Sequence, residues 1–246
     1  MGAMSWFSLP HLERAAHIRR SYGTVESPSA LELSCNAIMC AVFIVPSYFL
    51  FSSRNQALVE DGHSLFLPML AVDDAIPLVP EFIWLYCLYY PAFFVVLLAT
   101  TADRRVMYEG VVGYVVTALL ALVCFGLLPS RMDQPSLEGC ATTACALLSR
   151  MYAADGGDHI FPSLHVAYPV CAWLLMRRTL SPWIARPFLV LVLGIAASTV
   201  FLKRHALVDV PAGVLTGFLA WYVGRCMGWR LLRLVNRARW WFVPSV

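Results

Sequence analysis

Charge is what this sequence most lacks. Of 246 residues, 13% are Asp, Glu, Lys or Arg and 60% are apolar, whereas soluble domains run near a quarter charged. That deficit excludes an ordinary soluble domain and points to an integral membrane protein. Lysine is nearly missing, since Lys203 stands alone among eighteen basic residues. Cysteines at zinc-site spacing are absent, as are internal repeats and low-complexity tracts. A cleavable signal peptide is not expected, because Glu13, Arg14, Arg19, Arg20 and Glu26 leave no apolar central run in the first thirty residues. No nucleic-acid partner and no cofactor are expected.

What is present is a set of long uncharged runs. Leu33–Ser53, Phe82–Ala102 and Gly110–Ser130 each hold 21 residues without an acidic or basic side chain. At 1.5 Å per helical residue each can cross about 30 Å of hydrocarbon. Three shorter runs, Ile160–Met176, Pro187–Leu202 and Val210–Gly224, become spans if the polar residues at their ends lie at a wet rim. The expected fold is all-α: a polytopic membrane protein with six transmembrane helices. Residues 31–226 would form one catalytic domain, 1–30 an interfacial or disordered segment, and 227–246 a basic, Trp-rich cytoplasmic tail.

Charge asymmetry orients such a chain. With both termini on one side, that side holds Arg14, Arg19, Arg20, Arg104, Arg105, Arg177, Arg178, Arg186, Arg225, Arg230, Arg233, Arg237 and Arg239. The other side has Arg54, Arg131, Arg150, Lys203 and Arg204. The positive-inside rule makes the first side cytoplasmic. Preference for arginine over lysine favours a GC-rich bacterial source, hence an inner membrane with the site facing the periplasm or exterior. Most cysteines fall in or beside spans as small packing residues. Cys140 and Cys145 lie in an outer loop, where an oxidising compartment would allow a disulfide. A five-residue spacing on a continuous helix, expected over Ser136–Tyr152, points them apart, and the pair stays open. The proline-interrupted stretch Arg54–Glu81 reads as a loop with short interfacial pieces.

Two motifs put ionisable groups where an apolar run begins. In Lys203-Arg-His-Ala-Leu-Val-Asp209, His205 and Asp209 are four apart and share a helix face. An aspartate there can hold one imidazole nitrogen, fix the tautomer and support positive charge on the ring; a purely structural His–Asp pair is the competing reading. Lys203 and Arg204, on an otherwise acidic outer face, suggest a small anion such as phosphate. In Phe161-Pro-Ser-Leu-His-Val-Ala167, Ser163 falls near a helix start, where free N–H groups favour an anion, and His165 is close enough to serve as general acid. One histidine would attack phosphorus and the other protonate the leaving oxygen. The aspartate makes His205 the nucleophile. Arg131 is a further phosphate-ligand candidate, with an ordinary loop arginine as the alternative. Asp73, Asp74, Asp158 and His159 could in principle hold a metal, but nothing fixes their geometry, and a solvated loop is the better reading.

With these residues the chain resembles the type 2 phosphatidic acid phosphatase superfamily. Pro162-Ser163-Leu164-His165 stands for its Pro-Ser-Gly-His-like motif. Ser198-Thr199, five residues, then His205 and Asp209 stand for its Ser-Arg-x5-His-x3-Asp motif. The resemblance implies a six-helix membrane fold, a phosphohistidine intermediate and no metal requirement. It makes His205 nucleophile, Asp209 its partner, His165 the acid and Ser163 a phosphate ligand. Residues 73–91 also look like the segment before the second span in the inositol phosphorylceramide synthase branch. Three departures stand out: Thr199 replaces an arginine, Leu164 replaces a glycine, and a Lys-x6-Arg-Pro motif is missing, with Arg131 a loose stand-in. All three resemble the phosphotransferase branch. The expected substrate is therefore a lipid phosphate or diphosphate drawn from the surrounding membrane lipids, hydrolysed through phosphohistidine. Transfer to an alcohol such as inositol is the alternative. A proton-coupled lipid transporter using His165, His205 and Asp209 is the reading from another class, though it has no need of Ser163 and Lys203. The aspartate pattern of CDP-alcohol transferases is not present.

Overall fold

Ser29 and Glu32 form a capping box, each side chain bonding the other's backbone N–H, and this starts α1 (Ala30–Glu60). The computed structural model describes residues 27–67, 69–92, 103–154 and 156–242, with side chains described except for 35–48 and 237–242. Helices follow in order: α2 (Ala71–Ala75), a 3-10 turn at Pro80–Phe82, α3 (Ile83–Cys87), α4 (Arg104–Leu127), α5 (Thr143–Ala154), α6 (Leu164–Thr179), α7 (Pro182–Phe201) and α8 (Asp209–Phe242). Among the described residues no strand forms beyond two isolated bridges, Phe66 to Ser130 and Arg131 to Asp158. The fold is all-α, as expected. Of the six expected spans, α4 and α7 are described helices long and apolar enough, by length and composition, to cross a membrane. Residues 93–102 of the second span, and the N-terminal segment up to residue 26, lie outside the described residues.

Several boundaries differ from the sequence reading. Helix α1 continues past Ser53 to Glu60 because Arg54 is not left to solvent: its guanidinium donates to the carbonyls of Phe125 and Gly126 at 3.3 and 3.1 Å, closing the end of α4. Helix α5 starts at Thr143 rather than Ser136, since Gly139 takes a positive φ of 81° and turns the chain first. Cys140 therefore precedes the helix and is disulfide-bonded to Cys145; the helical spacing that argued against pairing does not apply. Ser163 is the N-cap of α6, so Pro162 precedes the helix instead of sitting in its first turn. The basic tail continues α8 as helix to Phe242.

Helix directions follow from cross-links. Glu32 binds Arg104 at 2.6 Å and accepts from Tyr108, while Arg54 meets Phe125, so α1 and α4 run parallel. Burial raises the Glu32 carboxyl, but its bonds from Ser29 and Arg104 outweigh that and hold it down at about 2. Fully buried Glu109, near the start of α4, pairs with Arg105 and with Arg178 at the end of α6, which runs the opposite way. Helix α8 lies along both through four glycines. A Cβ on Gly213 or Gly217 would fall 2.6 Å from Ser163 O or 2.4 Å from Ala167 O of α6. One on Gly224 or Gly228 would fall 2.4 Å from Glu109 O or 2.6 Å from its Cα in α4. Both pairs have the small-x3-small spacing that lets helix backbones touch. Gly217→Val cannot be absorbed by a rotamer change, because the obstacle is backbone. It is expected to destabilise the fold by about 1–3 kcal/mol, read as a lower thermal-inactivation midpoint in detergent; an unchanged midpoint would refute the close α6–α8 contact.

Candidate active site

The first turns of α6 and α8, the end of α7 and the loop after α4 converge at one end of the bundle. The loop 202–208 is what holds them together. Its carbonyl anchor is Thr199, the residue that departs from the expected arginine: Thr199 O accepts the N–H of both Arg204 (2.9 Å) and His205 (3.1 Å). Lys203 takes a positive φ of 51°, costly for a residue with a Cβ. Its ammonium donates to Asp73 O at 2.6 Å, and Asp73 Oδ1 accepts from Leu207 N at 2.7 Å. Asp73, 2% exposed, thus clamps both ends of the loop and is no part of a solvated stretch. Tyr152 supports it from α5, donating its hydroxyl to Leu202 O at 2.6 Å. Burial pushes that phenol up to about 12, so it stays a neutral donor at any physiological pH.

His205 Nδ1 lies 2.8 Å from Ile160 O and 3.2 Å from Asp209 Oδ2. A carbonyl and a carboxylate only accept, so Nδ1 carries the proton and the neutral ring keeps its lone pair on Nε2. Asp209 is fully buried; its Oδ2 also accepts from Ala206 N at 2.9 Å, and its backbone carbonyl from Ser163 N at 3.4 Å. The His165 ring is centred 5.8 Å from that of His205. It lies between Tyr86, stacked at 4.5 Å, and Tyr89, tilted at 4.6 Å. The sequence singles out neither tyrosine, although both fall in the aromatic run Trp84–Tyr90 within the 73–91 segment noted above.

Both histidines open onto a cavity of about 450 Å³, within the range of small-ligand sites. Arg204, 5% exposed, lines it with its guanidinium 5.8 Å above the Tyr152 ring. Asp158 and His159, each 5% exposed, line it too, which corrects their reading as a solvated loop. Phe49, Ala118, Ala121, Leu122 and Phe125 make an apolar wall. The structure thus brings His165, His205 and Arg204 to one cavity, with Asp209 behind His205. Ser163 is fully buried at the cap of α6 and does not line the cavity, Lys203 turns away to Asp73, and Arg131 bridges Asp158 through its backbone outside the lining. Asp74 is exposed. Among the described residues no three His, Cys, Asp or Glu side chains are grouped to hold a metal ion.

The model of the PAP2 superfamily matches residues 133–240, a stretch that contains Ser163, His165, the 203–205 loop and Asp209. Over those residues the chain is similar to the PAP2 superfamily. No curated protein and no solved structure matches it. PAP2 members are phosphoric ester hydrolases or related phosphotransferases. Outside the matched stretch lie Arg131, Asp73 and the tyrosines that sandwich His165, so residues that precede the match help to build the site.

Proposed function

We infer that the protein is a membrane enzyme that removes the phosphoryl group of a lipid phosphate through a phosphohistidine at His205. The observation that carries this is the His205 ring: Nδ1 is held as a donor by Ile160 O and Asp209, and the ring lines a cavity with His165 and Arg204. Nε2 attacks phosphorus, and the positive charge that forms on the ring is met by the buried Asp209 carboxylate. His165 gives its proton to the leaving lipid oxygen, then takes one from the water that opens the N–P bond. Arg204 meets the phosphoryl oxygens. Ser163 stays a phosphate ligand in this reading, because its buried hydroxyl has no partner among the described residues; Lys203 and Arg131 would have to swing to join it. The apolar wall takes part of the lipid chain. Six spans with both termini cytoplasmic would put the site at the outer face, and the Cys140–Cys145 disulfide at the same end suits an oxidising compartment.

The test is product analysis with purified protein and a panel of lipid monophosphates and diphosphates. Free phosphate is expected, and lipid moved unchanged across a vesicle membrane with no bond broken would replace this reading with transport. Since the resemblance implies no metal requirement, the rate is expected to stay within about twofold in excess EDTA, set against the 10²–10⁴-fold that a lost acid–base group would cost. Loss in EDTA with recovery on adding a divalent ion would overturn that expectation.

A further inference from the structure

The end of the bundle farthest from the histidines carries a charge pattern that the chemistry above leaves unused. Trp173 and Arg177, Trp221 and Arg225, and Trp229 and Arg233 each stand four residues apart, so each guanidinium lies one helical turn beyond its indole. The structure stacks all three pairs, at 5.0, 5.2 and 3.5 Å from the ring centres. Two of the pairs meet. Helices α6 and α8 run parallel, and the close contacts at Gly213 and Gly217 set them in register. Arg177 therefore also reaches Trp221, at 5.7 Å, and two guanidiniums from two helices converge on one indole. Trp173 is fixed beside Arg177 by its own N–H, which donates to Ala185 O of α7 at 3.1 Å. Arg177 stands twelve residues after His165, about 18 Å further along the helix.

Two like charges drawn to one ring repel each other, and no described carboxylate at that end is left to offset them. Glu32 is taken by Arg104, Asp103 by the N–H groups that start α4, and Glu109 by Arg105 and Arg178. Arg177 and Arg225 are both exposed, and among the described residues neither has a carboxylate partner. The ring they share keeps a donor of its own: Trp221 is 6% exposed, and its indole N–H has no acceptor among the described residues. Stacking covers the face of a guanidinium and leaves the N–H fork at its edge, which fits two phosphate oxygens. Behind Arg225 runs an apolar track, with Tyr222 and Phe218 exposed three and seven positions earlier on the same face of α8. A small anion in water has no use for that track, whereas an acyl chain does. We propose that Arg177, Arg225 and Trp221 form a binding site for the headgroup phosphate of an anionic phospholipid whose chain lies along Tyr222 and Phe218. The site rests on the membrane placement of the bundle and is independent of the phosphohistidine reading.

The test is lipid binding by purified full-length protein in neutral-detergent micelles, read as the rise in thermal unfolding midpoint. Phosphatidylglycerol, phosphatidylcholine and inorganic phosphate are titrated separately. Phosphatidylglycerol is expected to raise the midpoint saturably, and the other two to leave it in place. In the double variant Arg177→Gln, Arg225→Gln the concentration giving half the rise is expected to increase at least about tenfold, the effect of losing two basic residues at a lipid surface. The double variant Arg230→Gln, Arg233→Gln removes the same charge further along α8, where both guanidiniums lie on Trp229 of their own helix. It is expected to stay close to the wild-type value. Arg177→Lys with Arg225→Lys keeps the charge without the fork and is expected to fall between. Each variant is compared with its own midpoint without lipid, so lost stability does not mimic a lost site, and the two single glutamine variants serve where a double variant unfolds too early to read. An equal increase in both glutamine pairs would make the effect one of general surface charge and overturn the site. A matching rise from phosphatidylcholine or from inorganic phosphate would overturn the anionic lipid as its ligand. No rise with phosphatidylglycerol, or a rise that the Arg177 and Arg225 variants leave unchanged, would overturn it as well.

Discussion

His205→Ala is expected to lower turnover by at least about 10⁴-fold, the scale on which enzymes lose activity when a covalent nucleophile is deleted. The cavity, Arg204 and His165 all remain in that variant, so substrate can still bind and the leaving oxygen can still be protonated. What disappears is the lone pair on Nε2. His165, the other histidine beside it, is not placed to substitute for it. His165 is sandwiched by Tyr86 and Tyr89, and among the described ion pairs the carboxylate belongs to His205. A positive charge built on His165 during attack would have no counter-ion. The measurement has two parts: steady-state turnover, and phosphate label retained on the protein after a rapid alkaline quench, conditions in which a histidine–phosphorus bond survives. Wild type should carry label at His205, and the alanine variant none. Activity within tenfold of wild type, or label at His165, would reverse the assignment of the two histidines. Because the ring's Nδ1 bonds Ile160 O and Asp209, the alanine variant also loses a structural tie. His205→Gln and a thermal-inactivation curve separate that effect from lost chemistry.

Asp209→Asn is expected to cost about 10²-fold in kcat with KM changed less than threefold. The figure is smaller than the roughly 10⁴-fold seen when a triad aspartate is replaced and the imidazole takes the wrong tautomer. Here the tautomer has a second guard. Ile160 O, at 2.8 Å, is closer to Nδ1 than the carboxylate at 3.2 Å, and it stays in place in the variant. An amide oxygen can also still accept from Ala206 N, and the backbone carbonyl of residue 209 still receives Ser163 N. What the substitution removes is the negative charge that meets the imidazolium as phosphorus is attacked. That charge acts on the transition state and hardly on bound substrate, so the loss belongs in kcat. An increase in KM alone, or a normal kcat per folded molecule combined with a large drop in thermal midpoint, would make the pair structural.

The candidate site residues were legible because their spacing is local. His205 and Asp209 are one helical turn apart, and the structure pairs them directly. Ser163 as an N-terminal residue of its helix was equally legible, since capping depends on a few neighbours; the one-residue misplacement of Pro162 is a boundary effect of the same kind. Side-chain destinations were not legible. Lys203 and Arg204 are adjacent, and nothing in their order says that one reaches back to Asp73, 130 positions earlier, while the other enters the cavity. The disulfide stayed open for a related reason. The sequence offered Ser136–Tyr152 as a helix, and the turn at Gly139 that separates Cys140 from it is a conformational choice read from φ.

The sequence by itself determined an apolar helical chain, the two histidine motifs and the carboxylate that distinguishes one histidine from the other, because periodicity and short spacing are properties of neighbouring residues. Only the tertiary structure decided what surrounds those histidines. Tyr86 and Tyr89 reach His165 from about 75–80 positions away, Asn55 reaches His159 across 104, and Asp73 clamps the 202–208 loop across 134. Each is a contact between elements brought together by burial of helix faces and by glycines that let α8 touch α4 and α6. Such contacts depend on how whole helices pack, and no local pattern of residue types encodes them.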